Sequence, residues 1–286
     1  MNKGQLIAYL KANDLWAKRS MGQNFLVNQK ILPKIVEAAE LASSDTVVEI
    51  GPGLGVLTGE LVKHAGKVIA IEKDDKLAEA LESRIMNYES WKKKVRIINQ
   101  DVLDLSADDL QLTAYGYKVV ANIPYNITSR VIRKFLEAEN KPSLLVLMVQ
   151  KEVAQRICAK SGEMSLLSVS VQFYAEPEII DIVKAESFFP LPKVDSAIIQ
   201  IRIQRDRIQN KVSDKDFFRL VKFGFAAKRK TLENNLAAGF HITKRESSDI
   251  IKKADLGVKI RAQELSVEDW IKLVEGFYGK KSEKAN

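Results

Sequence analysis

The sequence predicts an α/β fold: an open, mostly parallel sheet with helices on both faces, ended by an antiparallel strand pair and followed by a small all-helical C-terminal domain. Three observations predict it. Short runs rich in Val, Ile and Leu recur from residue 46 to residue 150, with helical patterns alternating between them. The runs are nearly continuous rather than alternating in polarity, as strands buried on both faces are. From about residue 206 the strand pattern gives way to helical spacing alone.

The elements follow in order. Asn28 is placed to cap a helix whose apolar positions Ile31, Leu32, Ile35 and Val36 fall at helical spacing, with Pro33 tolerated in its first turns. TVVEI (46–50) is a strand, GPGLG a loop and LTGELVKHA a helix. KVIAIE (67–72) is the second strand and DKLAEALESRI the second helix. VRIINQD (95–101), KVVANIP (118–124) and LLVLMVQ (144–150) continue the series. EIIDIV (178–183) and SAIIQIRI (196–203) read as two strands joined by a proline-bearing loop with no helix between them. DKDFFRLVKFGFAAKRKTLENNL, SSDIIKKADL and SVEDWIKLVEGFY then read as helices. A boundary near Arg205 divides the chain into a sheet domain, 1–205, and a helical domain, 206–286.

Composition narrows the function classes. No apolar run approaches membrane-spanning length. The first 16 residues lack a secretory core and cleavage site, and Asp14 argues against an organelle presequence. Cys158 is the single cysteine, so no intrachain disulfide is possible and a cytoplasmic location is expected. His64, His241 and Cys158 do not make a zinc site, and no Gly-x-Ser-x-Gly elbow exists, so no metal is expected. The formal charge is +8, of which residues 206–286 carry +6. A basic surplus gathered at one end points to a polyanion.

Strand tips carry the chemistry. In an open parallel sheet, ligands bind beyond the carboxyl ends of the strands at the switch point. The first strand runs into Gly51-Pro52-Gly53-Leu54-Gly55, where glycines permit a sharp turn and a close approach to a ligand. The spacing is Gly-x-Gly-x-Gly, not the dinucleotide fingerprint. Glu72, at the second tip, offers two oxygens to two ribose hydroxyls. Asp101, at the third, is an acceptor for an adenine amino group. A glycine loop, a ribose acceptor and an adenine acceptor in that order read as a site for S-adenosylmethionine.

The fourth tip is Asn122-Ile123-Pro124-Tyr125. Proline ends the strand because it cannot donate a ladder bond. The Asn122 side-chain oxygen and the Ile123 or Pro124 carbonyl are placed to accept both N–H bonds of an exocyclic amine. That would aim its lone pair at a methyl donor and stabilise charge developing on nitrogen. Tyr125 offers a face on which an unpaired base stacks.

With these motifs in place, the chain resembles the ribosomal RNA adenine N6-dimethyltransferases, most closely their bacterial small-subunit branch. The resemblance runs from about Lys18 to Tyr278. It is carried by GQNFL (22–26), VEIGPGLGVLT (48–58), QDVL (100–103), NIPYNIT (122–128), QKEVAQRI (150–157), FFPLPKVDSAII (188–199), KRKTLENNL (228–236) and RAQELSVEDW (261–270). It implies a Rossmann-like S-adenosylmethionine-dependent methyltransferase sheet. Asn24 and Leu26 would close over the methionine part of the cofactor, Gly51 and Gly53 would line it, and Glu72 and Asp101 would hold ribose and adenine. Asn122 would touch both the cofactor and the target amine, and the Pro124 carbonyl would hold that amine. Tyr125 would stack on the target adenine, and Phe188 would pack on the other face of that base. The implied substrate is a pair of adjacent adenosines in a hairpin loop near the 3′ end of small-subunit rRNA, each dimethylated within a pre-assembled subunit by a monomeric enzyme. A loop is where bases can be splayed out and read. Arg202, Arg205 and Arg207, with Lys228, Arg229 and Lys230, would neutralise phosphates.

Two segments depart from the family pattern. Ser129-Arg130 stands where the small-subunit enzymes place proline, a feature shared with the erythromycin-resistance methyltransferases of the large subunit. Met164-Ser165 replaces Tyr-Gly. Pro52, the intact QKEV and Asp195 favour the small-subunit branch. The alternatives are a resistance-type large-subunit enzyme and a non-catalytic RNA-binding assembly factor.

Overall fold

The computed structural model describes residues 1–18, 21–106, 108–204 and 212–279. In chain order the helices and strands up to the end of the sheet are α1 (Lys3–Ala12), β1 (Phe25–Leu26), α2 (Ile31–Ala38), β2 (Thr46–Ile50), α3 (Val56–His64), β3 (Lys67–Glu72), α4 (Asp75–Ile85), α5 (Glu89–Lys94), β4 (Val95–Asn99), β5 (Tyr117–Asn122), α6 (Thr128–Glu137), β6 (Leu144–Gln150), α7 (Lys151–Ile157), α8 (Leu166–Tyr174), β7 (Ala175–Val183), β8 (Phe188–Phe189) and β9 (Ser196–Ile203). Four helices follow: α9 (Asp214–Gly224), α10 (Leu232–Phe240), α11 (Lys244–Lys253) and α12 (Val267–Tyr278).

A seven-stranded sheet runs in the order β4-β3-β2-β5-β6-β9-β7. β2 pairs in parallel with both β3 and β5, and β3–β4 and β5–β6 are parallel as well. β9 lies antiparallel to β6. The apolar runs explain this placement. Val47, Val48, Ile69, Val119, Val120, Leu145 and Leu147 are all buried in the centre of the sheet, each contributing about 1.5–3 kcal/mol by leaving water. The chain winds one way from β2 to β4 and the other way from β5 to β6. The carboxyl ends of β2 and β5 therefore flank the switch point.

The sequence reading stops short in three places. A helix, α1, precedes the predicted elements; Asn2 caps it reciprocally with Gln5. Phe25-Leu26 and Phe188-Phe189 form a separate two-stranded antiparallel sheet, with Phe25 opposite Phe189 and Leu26 opposite Phe188. Asn28 does not cap α2 directly; its side chain accepts from the Lys30 N–H just before the helix.

The chain clusters into two compact units, Met1–Ala154 with Pro177–Ile203, and Gln155–Glu176 with Gln204–Asn286. This division differs from a single boundary at residue 205, because residues 155–176 join the helical unit. The reason is packing. Phe173 of α8 stacks on Phe217 of α9 with ring centroids 3.9 Å apart, and the Tyr174 hydroxyl donates to Asp214 at 2.6 Å. The altered 162–165 stretch belongs here too: the Gly162 and Met164 amides both donate to the Gln263 carbonyl, and Met164 is buried.

Candidate functional site

A cavity of ≈ 460 Å³ opens beyond the carboxyl ends of β2, β3 and β5. The loop after β2 builds one side of it. Gly51 lies in the left-handed region at φ +65°, and its amide donates to the Ile71 carbonyl at 2.9 Å. A Cβ added there would meet nothing within 4 Å. The backbone thus faces open space that a ligand can enter. Gly55 is glycine for a packing reason: a Cβ would sit 2.5 Å from the Leu81 Cδ1.

Glu72 ends β3 and is nearly buried. Its Oε2 accepts the Gly53 amide at 3.0 Å and its Oε1 the Asp74 amide at 2.9 Å. One carboxylate therefore shapes the glycine loop and the start of α4, and each oxygen keeps a lone pair for a hydroxyl. Burial pushes its pKa above the ordinary carboxylate range, against the pull of these amides. Glu49 lies deeper in the lining, 1% exposed, and accepts from the Thr58 hydroxyl at 2.6 Å. Burial, with the nearby Glu72 charge, pushes its pKa up to about 8.

Asp101 lies beyond the last residue of β4, at the start of a 3-10 turn, where its Oδ1 accepts from the Leu103 amide. Its Oδ2 is 2.7 Å from the Lys73 Nζ. Burial raises its pKa, but the Lys73 ammonium and the Leu103 amide outweigh it and hold the group below the usual range. Asp101 is an anionic acceptor at this edge of the cavity.

β5 delivers Asn122. Its Nδ2 donates to the Asn24 carbonyl at 3.0 Å, which fixes the amide plane and leaves Oδ1 as the outward acceptor. The Asn24 side chain donates in turn to the Gly22 carbonyl at 3.1 Å. The Pro124 carbonyl takes the Ile127 amide at 3.1 Å, closing the turn after the strand. The Tyr125 hydroxyl shares a 2.7 Å hydrogen bond with Ser196, the buried first residue of β9. Burial raises its pKa, so the phenol stays neutral.

Asn24, Leu26, Gly51, Gly53, Glu72, Asp101, Asn122, Pro124 and Tyr125 all line this one cavity. Phe188 does not. It is 3% exposed and packs in the main apolar cluster with Leu26, Leu32, Val183 and Ile198. Its side chain belongs to the core here, and its expected contact with a base is not formed by this cavity lining. Arg202 pairs with Glu40 at 2.5 Å, and it lies opposite Leu144, at the entry end of β6 and so at the end of the sheet away from the cavity. Its expected phosphate contact is therefore not one made at this cavity. Lys228, Arg229 and Lys230 are exposed, on the connection between α9 and α10. Arg205 and Arg207 lie outside the described residues.

Arg130, Lys73 and Gln23 also line the cavity and were not singled out as site residues from the sequence. Arg130 carried a signal, as a cation two positions into α6 where the family pattern has proline. Ser196 was visible only as part of a quoted motif. Among the described residues no cluster of side chains could hold a metal ion.

A family model described as ribosomal RNA adenine dimethylase matches residues 15–277. A Dehalococcoides mccartyi protein named ribosomal RNA small subunit methyltransferase A is 46% identical over 265 residues, covering 93% of this chain and 90% of that protein. The crystal structure of a dimethyladenosine transferase from Plasmodium falciparum superposes with a TM-score of 0.77 at 28% identity, over 90% of this chain and 98% of that one. The crystal structure of the 23S rRNA methyltransferase ErmE superposes at 0.70 with 27% identity, over 88% of this chain and 98% of that one.

Proposed function

The chain belongs to the ribosomal RNA adenine dimethylase family, and from that premise we propose that it dimethylates N6 of two adjacent adenosines in a hairpin loop near the 3′ end of small-subunit rRNA. It is a methyltransferase, and S-adenosylmethionine supplies an electrophilic methyl on a sulfonium that leaves as a neutral thioether. The residues present fit this donor. Gly51 leaves an open cradle, Glu72 keeps one lone pair on each oxygen, and Asp101 is an anionic acceptor at the cavity edge.

The observation that carries the reading is the orientation of Asn122. With Nδ2 held by the Asn24 carbonyl, Oδ1 can only accept. It is placed to take one N–H of the adenine amine, and a backbone carbonyl of Ile123 or Pro124 the other. Holding both draws the nitrogen lone pair out of conjugation and points it at the methyl carbon. With a methyl donor bound, the N–C bond would form as the donor's C–S bond breaks. Positive charge develops on nitrogen next to the Asn122 oxygen, and the proton then leaves to water. A neutral amide suits this role because it stabilises the charge without a desolvated carboxylate of its own. Tyr125, anchored through Ser196, supplies a stacking face, a contact typically worth about 1–3 kcal/mol per base.

The 46% identity to a protein named for the small subunit supports that target over the large-subunit alternative, with 27% identity to ErmE. Retention of Asn122, Tyr125 and Glu72 in one cavity supports catalysis over a binding-only role. Among the described residues no helix is long and apolar enough to cross a membrane. The proposal extends to a monomer acting in the cytoplasm on pre-assembled small subunits, with the exposed Lys228–Lys230 stretch meeting phosphates.

The test is to incubate the protein with labelled S-adenosylmethionine and immature small or large subunits, then map N6,N6-dimethyladenosine. The expected outcome is two adjacent modified adenosines in the small-subunit RNA. Label confined to large-subunit RNA rejects the proposed target. Asn122→Ala is expected to lower kcat by about 10²–10³.

A further inference from the structure

Asp74 occupies the N-cap position of α4, where an aspartate ordinarily accepts a helix amide. Here burial raises the carboxylate's pKa, and Lys18, Gln23 and the Leu77 amide in the first turn hold it below its ordinary value, the last without the geometry of a full capping hydrogen bond. Its Oδ2 meets the Lys18 Nζ at 2.7 Å and the Gln23 Nε2 at 3.2 Å. Gln23 folds back in the other direction, its Oε1 accepting the Lys18 amide at 2.8 Å. The Asp74 side chain is 2% exposed and that of Lys18 is 45% exposed. A buried carboxylate at a helix start thus also holds two side chains some 50 residues away in sequence.

Gln23 stands in the run Met21, Gly22, Gln23, Asn24, Phe25, Leu26 that walls the cavity. The far end of that run is held by the β1–β8 pairing. Its middle is held by the Asn122–Asn24 hydrogen bond. At the near end the Met21 and Gln23 amides donate to the Lys18 carbonyl, and the Lys18 and Gln23 side chains are tied to α4 through Asp74. The Asp74 amide is in turn bound by Glu72 Oε1, the group that also holds Gly53. A continuous chain of bonds thus runs from the glycine loop through Glu72 and Asp74 to Gln23 and Lys18.

We propose that Asp74 is a positioning residue for the methyl donor: with Lys18 and Gln23 it latches the 21–26 wall in the geometry that binds S-adenosylmethionine. The inference rests on the reading that this cavity holds that donor. Asp74 touches neither substrate nor reacting atom. Its effect is on donor affinity, through Gln23 and the cavity wall on which Gln23 stands.

The test uses the full chain, Lys18→Met, Asp74→Asn and the double variant. S-adenosylmethionine binding is measured by calorimetry, thermal unfolding by circular dichroism, and KM and kcat on immature small subunits. Each single variant is expected to weaken donor binding about fivefold and to raise its KM alike. kcat at saturating donor should stay within about twofold, because Asn122 keeps its own bond. The double variant should bind no more weakly than either single one, since both break one contact. Lys18 is half exposed, so Lys18→Met folds even if Asp74→Asn does not. Wild-type donor affinity in Lys18→Met overturns the latch, as does a lower melting temperature in Asp74→Asn with unchanged affinity. Failure of the wild-type chain itself to bind the donor overturns the underlying reading and the latch with it.

Discussion

Replacing Glu49 by glutamine is expected to make the protein more stable, by a margin that grows as pH rises from about 4.5 to about 8. Glu49 is 1% exposed, at the end of β2, with the Thr58 hydroxyl 2.6 Å away as its partner. Its pKa stands at about 8 in the folded chain against the ordinary 4.5. Between these values the folded state holds a proton that the unfolded chain has lost. Unfolding free energy therefore falls with rising pH across this window, by at most about 1.4 kcal/mol per pH unit. Integrated from 4.5 to about 8 the ceiling is about 5 kcal/mol. Water entering from the adjoining cavity and local relaxation reduce it, to about 2–4 kcal/mol. Glutamine has the shape of the neutral acid, can accept from Thr58, and does not titrate.

Urea unfolding of both proteins at half-unit steps from pH 5 to pH 9, without donor, measures the difference directly. The curves should lie within about 1 kcal/mol of each other at pH 5, half a unit above the unfolded pKa, and separate to about 2–4 kcal/mol in favour of Glu49→Gln by pH 9. The salt-bridged carboxylates do not confound this. Asp45, Asp74, Asp101 and Asp181 have pKa values lowered from 3.8, so their contribution is lost only as pH falls below the window. A difference independent of pH from 5 to 9 would refute the reasoning, because it would mean that Glu49 is ionised throughout and solvated by something other than Thr58.

Phe188→Ala should cost about 3–5 kcal/mol of stability, read from denaturant unfolding; a stable variant impaired only in RNA binding would restore the base-stacking role. Ser196→Ala frees the Tyr125 hydroxyl and should raise KM for RNA several-fold, with donor affinity by calorimetry unchanged. Gly51→Ala places a side chain in the left-handed region at about 1–2 kcal/mol and fills the cradle. Its donor affinity should therefore fall more than its stability. Gly55→Ala should show the reverse, since its Cβ meets Leu81 rather than the cavity. Arg202→Ala should leave RNA affinity unchanged in a filter-binding assay, because the guanidinium is held by Glu40.

The fold was legible because burial on both faces of a parallel sheet writes itself as apolar runs, and because each strand tip here carries a polar residue that burial alone would not select. Glu72 and Asn122 were found at strand ends for that reason. Phe188 shows where this fails. Phe188 and Phe189 are consecutive in a strand, so they face opposite sides, and their parity is set by pairing with Leu26 and Phe25 rather than by the sequence. A motif carried over residue by residue cannot supply that parity. Arg202 fails differently: its partner, Glu40, follows α2, more than 160 positions away, and no local pattern announces the pair.

Asp74 joins both lessons. Aspartate before a helix is the ordinary signature of a cap, and the sequence offers no ground to doubt it. Only the tertiary arrangement shows the carboxylate also holding Lys18 and Gln23. A residue at a helix start that holds distant side chains as well serves more than its own helix. In this chain Asp74 sits one bond from Glu72, and its partner Gln23 one residue from Asn24. The ribose-side acceptor and the cavity wall thereby share a single support. Disturbing Asp74 should accordingly weaken donor binding through Gln23 while the Asn24 carbonyl, held independently by Asn122, keeps the amide oriented for the amine.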